Sequence, residues 1–197
     1  AGPNVVNALN GAFEALVARR SPAEQQAIEL CWVLHLAGDI HQPLHCATLI
    51  SPQYPPPHGD DGGNRLAITP HKRPESLHTY WDSLLGRNTH YRALDELARR
   101  VNATAADDGD LANRLATHNT VRSWADESYA AAVEFAYLNG QLPLVDYRAV
   151  ERGEIPHSEV PILPSGYGEA ARDVARRQAA LAGWRLAAML KQITAAK

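Results

Sequence analysis

The sequence predicts a mainly α-helical protein, a single helical domain with long loops and at most a short β-hairpin. Two observations carry this prediction. Apolar residues recur at helical spacing along most of the chain, and helix-boundary signals cut that pattern into segments of ordinary helix length. Arg65 to Thr69 reads as a short strand.

Taken in order, Asn4 to Arg20 forms the first helix, with Val5, Val6, Leu9, Phe13, Leu16 and Val17 as its apolar stripe. Ser21-Pro22-Ala23-Glu24 then supplies a capping serine, a proline at the first helical position and a capping-box glutamate. The helix it opens runs through Ile28, Leu30, Cys31, Val33 and Leu34. It is apolar on most sides, which predicts a central, buried helix and a buried free thiol at Cys31. Residues 47–75 form a long loop, stiffened by Pro52, Pro55, Pro56 and Pro57 and followed by His58-Gly59-Asp60-Asp61-Gly62-Gly63-Asn64-Arg65. Long irregular loops in compact domains tend to be functional. A compact helix from about Ser76 to Leu85 closes at Gly86. Further helices are predicted near 91–105, 110–138 and 167–194, with an irregular proline-containing stretch at 152–166. No internal repeat is visible.

The residues that carry chemistry lie in two places. His35-Leu36-Ala37-Gly38-Asp39-Ile40-His41-Gln42-Pro43-Leu44-His45 ends the second helix, and His78-Thr79-Tyr80-Trp81-Asp82 lies in the compact one. His35 and Asp39 are four apart, as are His78 and Asp82, so each pair projects from one helix face. Pro43 should end or bend the helix and free His45 to point elsewhere. One such pair alone is more often an ion pair than a metal site. Two pairs plus His45, the first on a strongly apolar helix where charge is costly to bury, point to zinc. His45, His78 and Asp82 would make a three-ligand site with open positions. His35 and Asp39 would serve a second centre, with Asp39 placed to bridge two ions. Such clusters suit phosphoester hydrolysis, and no HExxH helix supports a metalloprotease.

Composition bounds these readings. A chain of 197 residues, 45% apolar and 21% charged, is that of one globular domain spanning 1–197. No run of 18 apolar residues predicts a membrane-spanning helix, and Ala1-Gly2-Pro3-Asn4 does not open a signal peptide. A net charge of −3 argues against a basic face gripping long duplex DNA, but not against a metal-assisted phosphodiesterase. Cys31 and Cys46 are too few for a disulfide framework.

Other candidates have plainer readings. His41 is expected to be a hydrogen-bonded histidine supporting the site or the core rather than a ligand. His58 and His71 are read as solvated, though either could face a phosphate, and His90, His118 and His157 as ordinary. Tyr80 and Trp81 are read as core or cleft wall, and Lys72, Arg73, Asp60 and Asp61 as mostly solvated surface. Asn102-Ala103-Thr104 is a glycosylation sequon within a predicted helix.

HLAGDIHQPLH, GDDGGNR and LHTYWDSLL together resemble the zinc-dependent single-strand nucleases of the nuclease S-one and nuclease P-one type, and Trp124-Ala125-Asp126-Glu127-Ser128 and Ala182-Gly183-Trp184-Arg185-Leu186-Ala187 extend the likeness. The resemblance implies the helical fold shared with zinc phospholipases C, holding three zinc ions in a cleft. It implies cleavage of single-stranded DNA and RNA to 5′-phosphorylated products, 3′-nucleotidase activity, a monomer without membrane attachment, and a secreted or periplasmic location. Carried over by position, His35 and Asp39 match ligands of the buried zinc pair, Asp39 being the bridging carboxylate. His45, His78 and Asp82 match ligands of the more exposed zinc. Gly63 and Asn64 match a loop beside the cleft that contacts substrate.

The likeness departs at the front, where the family has a further stretch that supplies two histidines, an aspartate and an amino-terminal tryptophan to the metals. Residues 1–34 contain no histidine. The chain is therefore expected to correspond to the C-terminal three-quarters of the family domain, holding one nearly complete zinc site and parts of the others. The alternatives are a zinc phospholipase C-like phosphodiesterase and a non-catalytic helical module stabilised by zinc.

Overall fold

A computed structural model describes residues 4–106 and 108–195, the side chains of residues 104–106 excepted, and it is helical as predicted, with one small hairpin. Helices α1 (Val5–Ala18) and α2 (Ala23–Asp39) form an antiparallel pair. The Asn4 side chain caps α1 by accepting from the Asn7 N–H, and Arg19 ends it in the left-handed region. Ser21 does not cap α2. Its hydroxyl donates to buried Glu29 at 2.7 Å, and Pro22 occupies the cap position without a side-chain bond.

Strands β1 (Ala67–Ile68) and β2 (Glu75–Ser76) pair antiparallel with Ala67 opposite Ser76. The hairpin feeds directly into α3 (Leu77–Asp82), which Ser76 caps through the Thr79 N–H. Helices α4 (Tyr91–Ala106) and α5 (Gly109–Thr117) follow. The helix predicted over 110–138 is split. After α5 the chain breaks at His118, and α6 (Val121–Ala131) restarts under a capping box in which Thr120 and Ser123 exchange side-chain-to-backbone bonds. Trp124 Nε1 donates to the His118 carbonyl and closes the break at 3.0 Å. A π-helical turn, Ala132–Ala136, continues α6 before Leu138 and Asn139 turn left-handed. Short α7 (Tyr147–Glu151) precedes α8 (Tyr167–Ala195).

α8 is the spine. Its 29 residues span about 43 Å at ~1.5 Å per residue, enough to line three separate parts of the core. Tyr167, Ala171 and Val174 join the cluster formed by the loop, α3 and the π turn, around Leu44, Tyr54, Leu77 and Trp81. Ala180 and Leu181 pack on Val101 of α4 and Leu111 of α5. Met189 reaches the cluster of Leu9, Leu16, Val33, Leu36, Ile40, Val121 and Trp124, which joins α1, α2 and α6.

The prediction of a central α2 fails on one side. Val33, Leu36 and Ala37 are buried, but Ile28, Trp32 and Leu34 are about half exposed, and Cys31 is an exposed thiol. An all-round apolar helix needs partners on all sides, and the described residues cover one.

Leu181 is fully buried where α4, α5 and α8 meet. Leu181→Ala is expected to lower unfolding free energy by about 2–5 kcal/mol in a urea titration. A loss under about 1 kcal/mol would show that the helices do not pack through this residue.

Candidate metal centre

The end of α2 presents the first ligand candidates. His35 and Asp39 stand one turn apart, with His35 Nε2 at 3.1 Å from Asp39 Oδ2. Past Asp39 the chain makes a 3-10 turn, Pro43–His45, which swings the His45 ring back over the helix end. His45 Nδ1 lies 3.6 Å from Asp39 Oδ1, and its Nε2 lies 3.7 Å from Asp82 Oδ1. On α3, His78 Nε2 is 3.5 Å from Asp82 Oδ2. The rings of His45 and His78 stack at 5.1 Å with 14° between planes. His45, His78 and Asp82 each bring one ligand atom to within 4.8 Å of the others, close enough to hold a single ion. All five predicted residues thus form one continuous string, in which Asp39 joins the His35 end to the His45 end.

The donor set fits zinc. Two imidazoles and a carboxylate are its ordinary ligands, and three protein ligands leave a position for water or substrate. The ring orientation fits as well. His78 Nδ1 lies 2.8 Å from the Gly62 carbonyl, which only accepts, so Nδ1 carries a proton and Nε2 is the ring atom turned toward the carboxylates. Burial lowers the His45 imidazole below its usual value, against the opposing pull of Asp39 and Asp82, which favours the neutral form a metal needs.

The loop ahead of α3 builds the floor of this centre. Asp60, expected at the surface, is completely buried. Its carboxylate accepts from the Leu49 N–H at 2.8 Å, the Thr48 hydroxyl at 3.1 Å and the Tyr137 hydroxyl at 2.9 Å. Burial, reinforced by Asp60, pushes the Tyr137 hydroxyl far above the usual tyrosine range and keeps it a donor. Gly62 and Gly63 follow at positive φ, +60° and +84°. A Cβ at Gly62 would lie 2.7 Å from the Leu44 carbonyl, so glycine is required on two grounds. The Gly63 carbonyl accepts the His78 N–H at 3.2 Å, and Gly63 itself is buried beneath α3. Asn64 is exposed, its amide donating to the Asp61 carbonyl at 2.9 Å.

Behind the turn lies a buried polar network. Ser128 Oγ donates to the Ile40 carbonyl at 2.6 Å and receives Gln178 Nε2 at 2.9 Å. His41 is buried, as expected of a supporting histidine. Its Nδ1 donates to the Ala37 carbonyl at 2.7 Å, and its Nε2 accepts from Arg185 at 2.8 Å. Burial pushes this imidazole down to about 4. Arg185 also pairs with Glu127 at 2.7 Å and lies over the Trp124 ring. His118, read as ordinary, completes that network at 2.9 Å from Glu127. Tyr80 and Trp81 are buried, Trp81 Nε1 donating to the Tyr167 hydroxyl at 2.9 Å.

Against this geometry the whole chain can be compared with known proteins. The S1/P1 Nuclease family model matches residues 1–195. The chain belongs to the S1/P1 nuclease family. Among curated relatives it is 26% identical over 147 residues to Endonuclease 4 of Arabidopsis thaliana, covering 63% of this chain and 46% of that protein. It is 28% identical over 180 residues to Endonuclease 3 of the same plant, covering 85% and 52%. The chain therefore spans about half the length of the curated relatives it matches. The mainly helical architecture agrees with membership of the family. No helix among the described residues is long and apolar enough to cross a membrane.

Sequence spacing pointed to the five candidates but not to the groups that orient them. The Gly62 carbonyl on His78 is invisible to residue type, because a backbone oxygen makes that bond. Gln42 is a further orienting group that spacing does not single out. It donates Nε2 to Asp82 Oδ1 at 2.9 Å, and its place between His41 and Pro43 was the available signal.

Two outcomes check this geometry. Gly62→Ala is expected to cost about 1–3 kcal/mol in equilibrium unfolding, since both the left-handed backbone and the Leu44 carbonyl oppose a side chain. Unchanged stability would contradict the loop conformation. Burial raises the Cys46 thiol to about 11, and its sulfur donates to the Ile40 carbonyl, whereas Cys31 is exposed. Ellman's reagent on the native chain should therefore label one thiol fast and the second at least tenfold more slowly. Two equal fast phases would contradict the packing of the turn.

Proposed function

We propose that the protein is a zinc-dependent phosphodiesterase that cleaves single-stranded DNA and RNA to 5′-phosphorylated products and removes phosphate from 3′-nucleotides. The observation that carries the reading is the convergence of His45, His78 and Asp82, in a chain of the S1/P1 nuclease family, with Asp39 reaching His45 from the other side. Zinc at such a centre supplies positive charge to a scissile phosphate and lowers the pKa of water beside it. The chain's residues do the rest. His45, His78 and Asp82 hold the ion and leave one side open. Asp39, between His35 and His45, is placed to share its carboxylate between neighbouring ions. The exposed Asn64 amide, on the loop that also orients His78, is the group offered to a phosphate or base, and Gly63 gives that loop its close approach.

Residues 1–197 are read as one catalytic domain acting as a monomer, with nucleic acid as substrate and a secreted or periplasmic site of action. A surface of net charge −3 suits short single-stranded contacts near the metals better than extended duplex binding.

The test is hydrolysis by the protein expressed from its complete gene, with denatured DNA, duplex DNA, 3′-AMP and phosphatidylcholine as substrates. The expected result is zinc-restorable, chelator-sensitive release from denatured DNA and 3′-AMP, at least tenfold over duplex. His78→Ala and Asp82→Ala should each lower that rate by about 100-fold or more. Preferential cleavage of phosphatidylcholine, or hydrolysis indifferent to chelators, would overturn the reading.

A further inference from the structure

Gln42 links the two halves of the centre from outside the ligand set. Asp82 closes the six-residue helix α3, and its side chain is 48% exposed. An exposed aspartate on the last turn of so short a helix samples several rotamers, and ordering it for a metal costs side-chain entropy. His78, by contrast, is fixed by the Gly62 carbonyl, and His45 by the 3-10 turn that carries it. Among the described residues the neutral partner of Asp82 is the Gln42 amide, which donates Nε2 to Oδ1 at 2.9 Å across a sequence distance of forty residues.

Gln42 is itself held through its side chain and its backbone. Its Oε1 accepts the Leu44 N–H at the start of the 3-10 turn, and its backbone N–H donates to the Asp39 carbonyl at 3.0 Å. With the oxygen committed to an N–H, the NH₂ group must be the end that faces Asp82, so the amide cannot flip without losing both bonds. The consequence is geometric. With Oδ1 engaged by Gln42, the Asp82 carboxylate stands with Oδ1 toward His45 Nε2 at 3.7 Å and Oδ2 toward His78 Nε2 at 3.5 Å.

We propose that Gln42 is the positioning residue of the His45/His78/Asp82 centre, setting metal affinity by locking the Asp82 carboxylate across from both imidazoles. The inference rests on the zinc reading above but concerns a residue that does not ligate. Partners of this kind hold ligating carboxylates elsewhere, and their loss costs ~10–100-fold in metal affinity.

The test uses the chain as it stands, with zinc as the probe. Zinc affinity is measured by competition with a chromophoric chelator, and the ligand field by the visible absorption of the cobalt-loaded chain. Gln42→Ser keeps a hydroxyl able to cap Leu44 but cannot reach Asp82, and Gln42→Met keeps the volume without either bond. The expected result is a ~10–100-fold weaker zinc site in both variants and an altered cobalt absorption band, with metal-free melting unchanged for Gln42→Ser. Zinc affinity within twofold of wild type in either folded variant overturns the positioning role. His78→Ala separates the two claims. If it abolishes zinc uptake while Gln42→Ser and Gln42→Met leave it intact, only the role of Gln42 fails. If the wild-type chain takes up no zinc, or His78→Ala does not alter uptake, the centre fails and Gln42 with it.

Discussion

The buried carboxylate of Asp60 is the knot on which the centre depends. A carboxylate removed from water is costly unless its oxygens are satisfied, and Asp60 is fully buried with three donors: the Leu49 N–H, the Thr48 hydroxyl and the Tyr137 hydroxyl. Those donors come from the long loop and from the end of the π turn after α6, so one side chain ties the loop to the helical body. The Asp60 carbonyl then accepts the Arg65 N–H at 3.0 Å, and Arg65 bonds Asp146 at the start of α7. Between these anchors Gly62 and Gly63 have no freedom left, and their carbonyls fix the first turn of α3 and the His78 ring.

The opposite wall of the centre is fixed by different means. The turn from Asp39 to His45 is gripped through its backbone by Ser128, which Gln178 holds from behind, and through His41 by Arg185. Gln178 and Arg185 lie seven residues apart on the buried face of α8, two turns of one helix. Arg185 is tolerable there because Glu127 pairs with it and Trp124 covers it. The ligand strings of α2 and α3 are thus each clamped from behind, and they meet through the His45–His78 ring stack, the approach of His45 to Asp82 and the Gln42–Asp82 hydrogen bond.

Much of this was legible in the sequence, for identifiable reasons. A four-residue spacing on a helix is a geometric statement, so the pairings of His35 with Asp39 and of His78 with Asp82 followed directly, as did the release of His45 by Pro43. A short strand within Arg65–Thr69, observed as Ala67–Ile68, and a compact helix within Ser76–Leu85 were visible from residue type, although α3 ends at Asp82 rather than at Gly86. What residue type could not show was how His45 is held against His78 and Asp82, because that depends on the Asp60 knot and on backbone oxygens. The Thr120 and Ser123 capping box opens a new helix inside the predicted one, and it is hard to read from the sequence because serine stands where glutamate is usual. The apolar faces of α2 were read correctly as apolar but wrongly as covered: periodicity tells which residues seek burial, not whether a partner stands against them. Cys31 was misplaced for the same reason, whereas Ser21, a capping residue by type, gives its hydroxyl to the Glu29 carboxylate instead.

The central claim is that two separately clamped segments make one ion site at His45, His78 and Asp82. Anomalous diffraction at the zinc absorption edge from crystals of the chain grown with zinc tests it most directly. The account predicts an anomalous peak within bonding distance, about 2.0–2.2 Å, of both imidazoles and the Asp82 carboxylate. A zinc-loaded crystal with its peak away from these three residues, or with the His45 and His78 rings turned apart, would contradict it.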